Sequence, residues 1–327
     1  MNALSENAVI GAVAPRKAIG VAGKDRASYL QGLLSNDIVA LTPGTGCYAA
    51  WLTPQGRMLT DLHIFESGDM MLLDVPAELV QPTLQRLDQF LFSEDVQLAD
   101  LSDAMRAVWI HGPGAAAILE SVVSGVSGLA EWPEYHNARG EIAGSPVVVA
   151  RVSQLGVPGF CVYVEPAHEA GLTRALEDAG AAAVDHAAID AARIEAGYPI
   201  FGVDMTEDTI PLEAGIEDRA ISLTKGCYVG QEVIIRVLHR GGGRVVRKLV
   251  GLRVEGDAPA TGASILSGDR EVGKVTSAAR SPELGSIALG YVHRDFVAPG
   301  TRVEIEARPA VVTERPIVGA GSAESAE

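Results

Sequence analysis

CYAAWLTPQGRMLTDLHIFESGDMMLLDV, residues 47–75, predicts three successive β-strands. The proline and glycine within residues 54–57 indicate a tight turn after the first strand, and Ser67 with Gly68 indicates another after the second. The turn signal TPGTG precedes the whole stretch. The stretch therefore predicts a β-meander.

Helices are predicted on both sides of this meander. Residues 25–38, DRASYLQGLLSNDI, place leucines at helical spacing with Asp25 at the N-cap position. Residues 77–92 repeat the amphipathic pattern, and residues 168–180 form a helix that Gly180 closes. Because strands and helices mix without steady βαβ alternation, the pattern favours an α+β fold over a doubly wound sheet.

The residue pattern of the sequence changes at about Val245, after the glycine-rich RGGGR at residues 240–244. Short alternating strands follow one another with Gly, Pro and Ser between them and no intervening helix. This pattern predicts a small antiparallel barrel or sandwich. The final residues, GAGSAESAE, are small, polar and acidic and predict a disordered tail.

Composition limits the classes of function. The chain has 327 residues, enough for two to three domains, and its 47% hydrophobic and 21% charged residues are typical of a globular protein. A pI of about 4.9 and a net charge of -16 disfavour direct binding to nucleic acid or to an anionic membrane. No apolar run reaches the ~18–20 residues that span a bilayer, and no secretory signal is recognisable, so we expect a cytoplasmic protein.

The three cysteines, Cys47, Cys161 and Cys227, are widely spaced and include no CxxC pair. Neither a disulfide framework nor a self-contained metal site is predicted. Cys227 lies in KGCYVGQE, residues 225–232. A free cysteine ordinarily packs as a small hydrophobe, but Lys225 and Arg236 are near in sequence, and cations favour the nucleophilic thiolate. The motif favours a functional thiol.

A basic segment begins at the same motif. Between residues 225 and 248 the only acid is Glu232. The segment predicts either an anion-binding patch or a solvated strand edge. Its basic residues are Lys225, Arg236, Arg240, Arg244, Arg247 and Lys248.

Two carboxylates are further candidate site residues. Asp61 lies within an apolar strand, where an acid indicates an edge or a solvent-facing position, or else a carboxylate that lines a pocket. Glu195 lies in the last turn of a helix that Gly197 ends, where it opposes the helix dipole. This position allows three interpretations of Glu195. It forms a salt bridge to Arg193, it lies at a solvated helix end, or its carboxylate accepts two parallel N–H bonds from a guanidinium or a pterin.

In these residues the chain resembles the YgfZ/GcvT family of tetrahydrofolate-binding proteins, and the YgfZ branch in particular. The branch signature is K-G-C-[FY]-x-G-Q-E, and the resemblance runs from about residue 16 to residue 307. Supporting stretches are YLQGLLSNDI, LTPQGRMLTDLHIF, RIEAGYPIFGVDM and VGKVTSAARSPELGSIALGYV. The signature residues are Lys225, Gly226, Cys227, Tyr228, Gly230, Gln231 and Glu232.

The resemblance implies a fold. It predicts two intertwined α+β lobes over residues 1–242 and a C-terminal antiparallel β-barrel over residues 243–316, arranged as a ring around a central folate site. Residues 317–327 are assigned to the tail.

The resemblance also implies a site. Asp61 matches the family aspartate that lies beside the reactive nitrogens of the folate, and Glu195 matches the glutamate that binds the pterin. The basic segment from Lys225 to Lys248 is a candidate for binding the acidic glutamyl tail, and Arg236 within it is assigned to folate binding. Cys227 and Asp61 are the candidate catalytic residues. The implied ligand is tetrahydrofolate or a one-carbon derivative of it, and no metal site is predicted.

Three functions follow from the resemblance. The first is a folate-binding accessory protein that supports assembly or repair of iron–sulfur clusters in client enzymes, including a radical tRNA-modifying enzyme, with Cys227 as its thiol. The second is a folate-dependent aminomethyltransferase or demethylase like the T-protein of glycine cleavage, a one-carbon transferase in which Asp61 orients the folate amine. The third is a scaffold that has lost folate binding.

Overall fold

A computed structural model describes residues 2–240 and 244–317. The chain forms two compact units, and both draw on separate parts of the sequence. The first unit comprises residues 2–153, 157–185 and 216–231, and the second comprises residues 154–156, 186–215, 232–240 and 244–317.

The strands are short and are distributed along the whole chain. In order they are β1 (Val9–Ile10), β2 (Arg16–Ala22), β3 (Gly46–Leu52), β4 (Met58–Glu66), β5 (Met70–Pro76), β6 (Gln97–Asp100), β7 (Arg106–His111), β8 (Asn137–Ile142), β9 (Ser145–Arg151), β10 (Gly159–Val164), β11 (Ala182–Ala183), β12 (Arg247–Val254), β13 (Ser264–Ser267), β14 (Arg270–Ser281), β15 (Gly285–His293), β16 (Arg302–Ile305) and β17 (Arg308–Thr313).

All the α-helices of the described residues precede β12. They are α1 (Asn2–Glu6), α2 (Arg26–Leu33), α3 (Val80–Gln89), α4 (Ala115–Val122), α5 (Pro166–Asp178), α6 (His186–Glu195), α7 (Pro211–Ala214), α8 (Glu217–Ala220) and α9 (Gln231–Arg240). No helix among the described residues is long and apolar enough to cross a membrane.

The first unit contains a five-stranded sheet in the order β3-β4-β5-β2-β6. Its antiparallel strands β3, β4 and β5 are the predicted meander. Alternate residues of a strand face opposite sides of a sheet, so Leu62 and Ile64 of β4 join the core that α2 and α3 cover, while Phe65 joins a different apolar cluster. Asp61 and His63 share the face of Phe65.

A second sheet of the same unit has the order β11-β1-β7-β10-β9-β8. One face packs on α4 and α5 through Ile110, Val162 and Leu172. The other face meets the first sheet, because Tyr163 contacts Phe65 with their ring centroids 6.0 Å apart. The face that carries Asp61 is therefore covered inside the unit, and it is not a solvent face.

The second unit contains a closed antiparallel barrel in the order β12-β15-β14-β13-β16-β17. Its interior is filled by β-branched and aliphatic residues, among them Leu252, Ile265, Val292 and Val312. The barrel alternative predicted from the strand pattern after Val245 is confirmed, and with it the α+β fold class.

Two predicted helix ends have different outcomes. α5 ends as expected, since Gly180 has a φ of +106°. α2 begins at Arg26 as expected, but Asp25 does not cap it with its side chain. The Asp25 carboxylate instead accepts a hydrogen bond from the backbone N–H of Asp95 at 2.8 Å, because a neighbouring loop offers a competing donor that sequence spacing does not reveal.

The predicted boundary at residues 242 and 243 lies outside the described residues. The predicted tail also lies outside them, except for Ile317, which is buried and donates its N–H to the carbonyl of Glu195 at 2.7 Å. The ring around a central folate site stays a prediction.

Candidate functional site

Asp61 is buried in the middle of the five-stranded sheet of the first unit, with 2% of its surface exposed. It lies on β4, which has β3 on one side and β5 on the other. The expectation of an edge or solvent-facing acid is wrong, because the second sheet covers this face. The alternative was a carboxylate that lines a pocket. Asp61 has the burial and the specific partners that this alternative requires, whereas a pocket beside it stays a prediction.

Two side chains hold the Asp61 carboxylate, one at each oxygen. Nη1 of Arg16 donates to Oδ1 at 3.0 Å, and the hydroxyl of Tyr48 donates to Oδ2 at 2.9 Å. The Arg16 side chain is only 6% exposed, so this ion pair is shielded from water. Because a carboxylate offers about four lone-pair positions, Asp61 retains capacity for further donors.

The protonation state of Asp61 follows from these partners. Burial alone raises the pKa of Asp61, but the charge of Arg16 and the hydrogen bonds from Arg16 and Tyr48 outweigh it, so the pKa lies below its usual value. Asp61 is therefore a buried but ionised carboxylate. Its contribution to stability is fully present above the unfolded pKa and is lost as the pH falls through the lower, folded pKa.

Asp74 on β5 lies on the far side of Arg16. Its Oδ2 accepts from Nε of Arg16 at 3.1 Å and from Nδ1 of His63 at 2.9 Å. Burial and the charge of Arg16 lower the pKa of His63 despite the opposing hydrogen bond to Asp74. The imidazole is therefore neutral near pH 7, and it carries its proton on Nδ1, since a carboxylate only accepts.

Sequence reasoning missed four members of this cluster: Arg16, Tyr48, His63 and Asp74. One signal was present, because Asp74 interrupts the apolar run MMLLDV just as Asp61 interrupts its own strand. The partners themselves carried no such signal. Arg16 is 45 residues from Asp61 and 58 residues from Asp74 in the chain.

The KGCYVGQE segment is attached to the end of α2 within the same unit. Nζ of Lys225 donates to the carbonyls of Gln31, Leu34 and Asn36 at 2.6, 2.5 and 2.8 Å. Carbonyls at a helix C-terminus have no partner within the helix, and a lysine satisfies them well. Burial lowers the pKa of Lys225 to about 8. Its ammonium is thus occupied by the protein.

Cys227 is exposed, whereas Cys47 and Cys161 are buried. The interpretation of Cys227 as a buried small hydrophobe is wrong. Tyr228 beside it is 7% exposed and lies under the Lys225 ammonium, with Nζ 5.0 Å from the ring centroid. The segment therefore anchors Lys225 and Tyr228 while it leaves the thiol of Cys227 accessible.

Gly230 is required by the backbone of this segment, whereas Gly226 is not. Gly230 has a φ of +85°, and a Cβ there would lie 2.5 Å from the carbonyl oxygen of Thr53. A Cβ at Gly226 meets nothing within 4 Å. We expect Gly230→Ala to reduce the free energy of unfolding by about 1–3 kcal/mol because of strain and the clash.

The matched control is Gly226→Ala, which should change the free energy of unfolding by less than about 0.5 kcal/mol. Urea denaturation followed by tryptophan fluorescence measures both variants. Equal stability of the two variants would show that the left-handed turn at Gly230 can relax.

Glu195 is the last residue of α6 in the second unit. The predicted C′ role of Gly197 is met, since its φ is +68° and the N–H groups of Gly197 and Tyr198 bond to the carbonyls of Ile194 and Arg193. Burial raises the pKa of Glu195, although the Ser281 hydroxyl acts in the opposite direction. Its Oε1 is buried and has no hydrogen-bond partner among the described residues.

Arg193 does not pair with Glu195, so that alternative is wrong. Its guanidinium instead contacts Asp190 at 2.6 Å, Asp204 at 2.7 Å and the Ser277 hydroxyl at 2.7 Å. Arg193 is 2% exposed and the Asp204 side chain is fully buried. Arg193 therefore holds α6 on the barrel, and Glu195 is left to other donors.

Some of the remaining basic residues of the 225–248 segment are exposed and could contact an anion, whereas another pairs within the protein. Arg236 is exposed on α9, and Arg244 and Lys248 are also exposed. Arg247 pairs with Glu213 at 3.2 Å. The side chain of Arg240 lies outside the described residues. The assignment of Arg236 to folate binding stays a prediction, as does the role of the segment in binding anions.

The comparisons with known proteins cover nearly the whole chain. Residues 1–225 match the GCVT N-terminal domain, and residues 247–318 match the glycine cleavage T-protein C-terminal barrel domain. The crystal structure of glycine cleavage system aminomethyltransferase T from Bartonella henselae superimposes with a TM-score of 0.85, covering 96% of this chain and 87% of that one at 24% identity. This likeness establishes the fold.

Sequence relatives give the same family. The aminomethyltransferase of Nostoc sp. (strain PCC 7120) is 32% identical over 306 residues, covering 90% of this chain and 80% of that protein. The aminomethyltransferase of Streptomyces coelicolor is 33% identical and covers 86% and 77%. That of Bacillus subtilis (strain 168) is 31% identical and covers 90% and 82%. The chain therefore belongs to the glycine cleavage T-protein family, with its GCVT N-terminal domain and C-terminal barrel domain.

Proposed function

We propose that the protein binds tetrahydrofolate and transfers a one-carbon unit to it from an aminomethyl donor, as an aminomethyltransferase. The relatives named aminomethyltransferase support this enzyme function over the accessory role in iron–sulfur assembly. In such a transfer two folate nitrogens form bonds to the methylene carbon, while the bonds from that carbon to the amino group and to the carrier break. The two folate N–H protons pass to the two leaving groups, which depart as ammonia and as the protonated carrier.

The observation that carries the proposal is the buried, ionised Asp61. Two of its lone-pair positions are occupied by Arg16 and Tyr48, and the others can accept an N–H of the folate. A fixed negative charge in a shielded site stabilises positive charge that develops on an attacking amine, and it does so more strongly than in water. Asp61 thus fits the role of orienting the amine.

Glu195 supports the folate part of the proposal. A buried carboxylate oxygen without a partner is costly unless a ligand supplies donors. The ring N–H and amino group of a pterin are two parallel donors of the kind a carboxylate accepts. Burial raises the pKa of Glu195, and N–H donors to its ionised form would act in the opposite direction.

The test combines binding and turnover with the wild-type protein. Calorimetry should detect tetrahydrofolate, and a coupled assay should detect methylenetetrahydrofolate formed from an aminomethylated carrier protein. Failure to bind any reduced folate would exclude the proposal. Binding without turnover on any aminomethyl donor would exclude the transferase and leave a folate-binding protein.

A second candidate function is favoured by the exposed Cys227. In the KGCYVGQE segment Lys225, Tyr228 and Gly230 serve the local structure, whereas the Cys227 thiol is exposed. An accessible thiol fits the YgfZ branch, in which the protein supports iron–sulfur clusters in client enzymes. Deletion of the gene should then lower iron–sulfur enzyme activities, and wild type but not Cys227→Ala should restore them. Full restoration of these enzyme activities by Cys227→Ala would exclude a role for the Cys227 thiol.

A further inference from the structure

Arg16 lies between two buried carboxylates that belong to different strands. It is the first residue of β2, with Asp61 on β4 and Asp74 on β5. All three nitrogens of its guanidinium are used: Nε contacts Oδ2 of Asp74, Nη1 contacts Oδ1 of Asp61, and Nη2 donates to the backbone carbonyl of Asp74 at 2.6 Å. The plane of the guanidinium is therefore fixed from two sides.

We propose that Arg16 is a positioning residue for Asp61, and that Asp74, held by the imidazole of His63, sets the orientation of the Arg16 guanidinium. This inference rests on the proposed function only for its effect on turnover. The geometry that carries it is the contact of all three guanidinium nitrogens of Arg16 with Asp61 and Asp74, together with the His63 bond to Asp74 at 2.9 Å.

The arrangement does more than supply a positive charge. Arg16 and Tyr48 bond to different oxygens of Asp61, so the carboxylate cannot rotate without losing one of them. A lysine would provide the charge as a point, without the rigid fork that contacts two carboxylates at once. Orientation and charge can therefore be separated by substitution.

The surrounding titratable groups are identified, so the effect of Arg16 can be isolated. His63 lies on β4 itself, Tyr48 on β3 and Asp74 on β5, and the charge of Asp74 also acts on Cys161 and Tyr163 of β10. The Arg219 guanidinium covers the Tyr48 ring at 4.7 Å from its centroid. The substitutions below leave Tyr48, Cys161, Tyr163 and Arg219 unchanged.

The experiment compares Arg16→Lys, Arg16→Gln and Asp74→Asn with wild type. Carbon-13 NMR of labelled aspartate carboxyls gives the pKa of Asp61 directly, and steady-state kinetics give kcat and KM. Arg16→Gln should move the pKa of Asp61 upwards, because the neighbouring positive charge is lost. Arg16→Lys should keep that pKa below its usual value yet reduce kcat about 10- to 100-fold with KM within about threefold, because the carboxylate is misplaced.

Asp74→Asn should resemble Arg16→Lys in kcat, since it loosens the guanidinium without removing its charge. The control is Glu66→Gln, which removes another buried carboxylate of β4, one that pairs with Arg26 rather than Arg16. It should retain wild-type kcat.

Wild-type kcat in both Arg16→Lys and Asp74→Asn would overturn the positioning role. An unchanged pKa of Asp61 in Arg16→Gln would overturn the electrostatic part, and that NMR result stands even if the protein turns over no folate. If Arg16→Gln does not fold, the kcat and the Asp61 pKa of Arg16→Lys test the proposal, because this variant retains the positive charge. Loss of the low Asp61 pKa in folded Arg16→Lys would also contradict the proposal, because charge and orientation would then not separate.

Discussion

Asp61→Asn is expected to reduce kcat for methylenetetrahydrofolate formation by about 100- to 1000-fold, the usual cost of removing one preorganised electrostatic group from an active site. Asparagine keeps the shape of the side chain but loses its charge. It also presents one NH2 group where Asp61 presents an acceptor, so either Arg16 or Tyr48 meets a donor instead. The amine of the folate loses the fixed negative charge.

The fold should survive this substitution. Arg16 keeps Asp74 as a partner after Asp61 is neutralised, so no buried guanidinium is left without a carboxylate. Binding of tetrahydrofolate measured by calorimetry should change less than kcat, because a group that acts mainly in the transition state affects kcat more than binding. Glu66→Gln again serves as the control on the same strand.

The pH dependence follows from the lowered pKa of Asp61. The ionised form is the active one, so the acid limb of the wild-type kcat/KM profile, which reports the free enzyme, should lie below the usual carboxyl range for Asp61. This limb should be absent in Asp61→Asn. Wild-type kcat in Asp61→Asn at every pH would show that the carboxylate has no part in the reaction.

Local patterns were sufficient to predict the elements of this fold. The meander of residues 47–75 and the barrel strands after Val245 alternate with the period of a strand and are separated by glycine and proline turns. Gly197 and Gly180 ended their helices as expected, because a left-handed C′ residue is a property of a few neighbouring residues.

The environment of Asp61 could not be predicted in the same way. Whether an acid in a strand meets water or an arginine depends on which strand lies beside it and what covers the sheet. Arg16 reaches Asp61 across β5, because the register of β2 on β5 places Arg16 opposite Pro76. The strand pattern reveals neither this strand order nor this register. Lys225 is a similar case, since its carbonyl partner Leu34 is 191 residues away in the chain.

The barrel unit depends on a second buried ion pair, and Arg193→Met is expected to destabilise it by about 3–5 kcal/mol. Methionine has a similar volume but leaves the fully buried carboxylate of Asp204 without its cation. The Thr276 and Ser277 hydroxyls still donate to Asp204 at 2.5 and 2.7 Å, so the carboxylate keeps hydrogen bonds but not its countercharge. Because a buried unpaired charge is costly, β14 and α6 should open more readily.

Hydrogen exchange measured by mass spectrometry is the appropriate readout, because all three tryptophans, Trp51, Trp109 and Trp132, lie in the first unit. Peptides from residues 270–281 should lose protection in Arg193→Met. The control is Arg280→Met on the same strand, whose pair with Asp257 at 3.7 Å is largely exposed and should contribute less than about 1 kcal/mol. Equal protection of this strand in the two variants would mean that the hydroxyls alone stabilise Asp204, and that Arg193 does not hold α6 on the barrel.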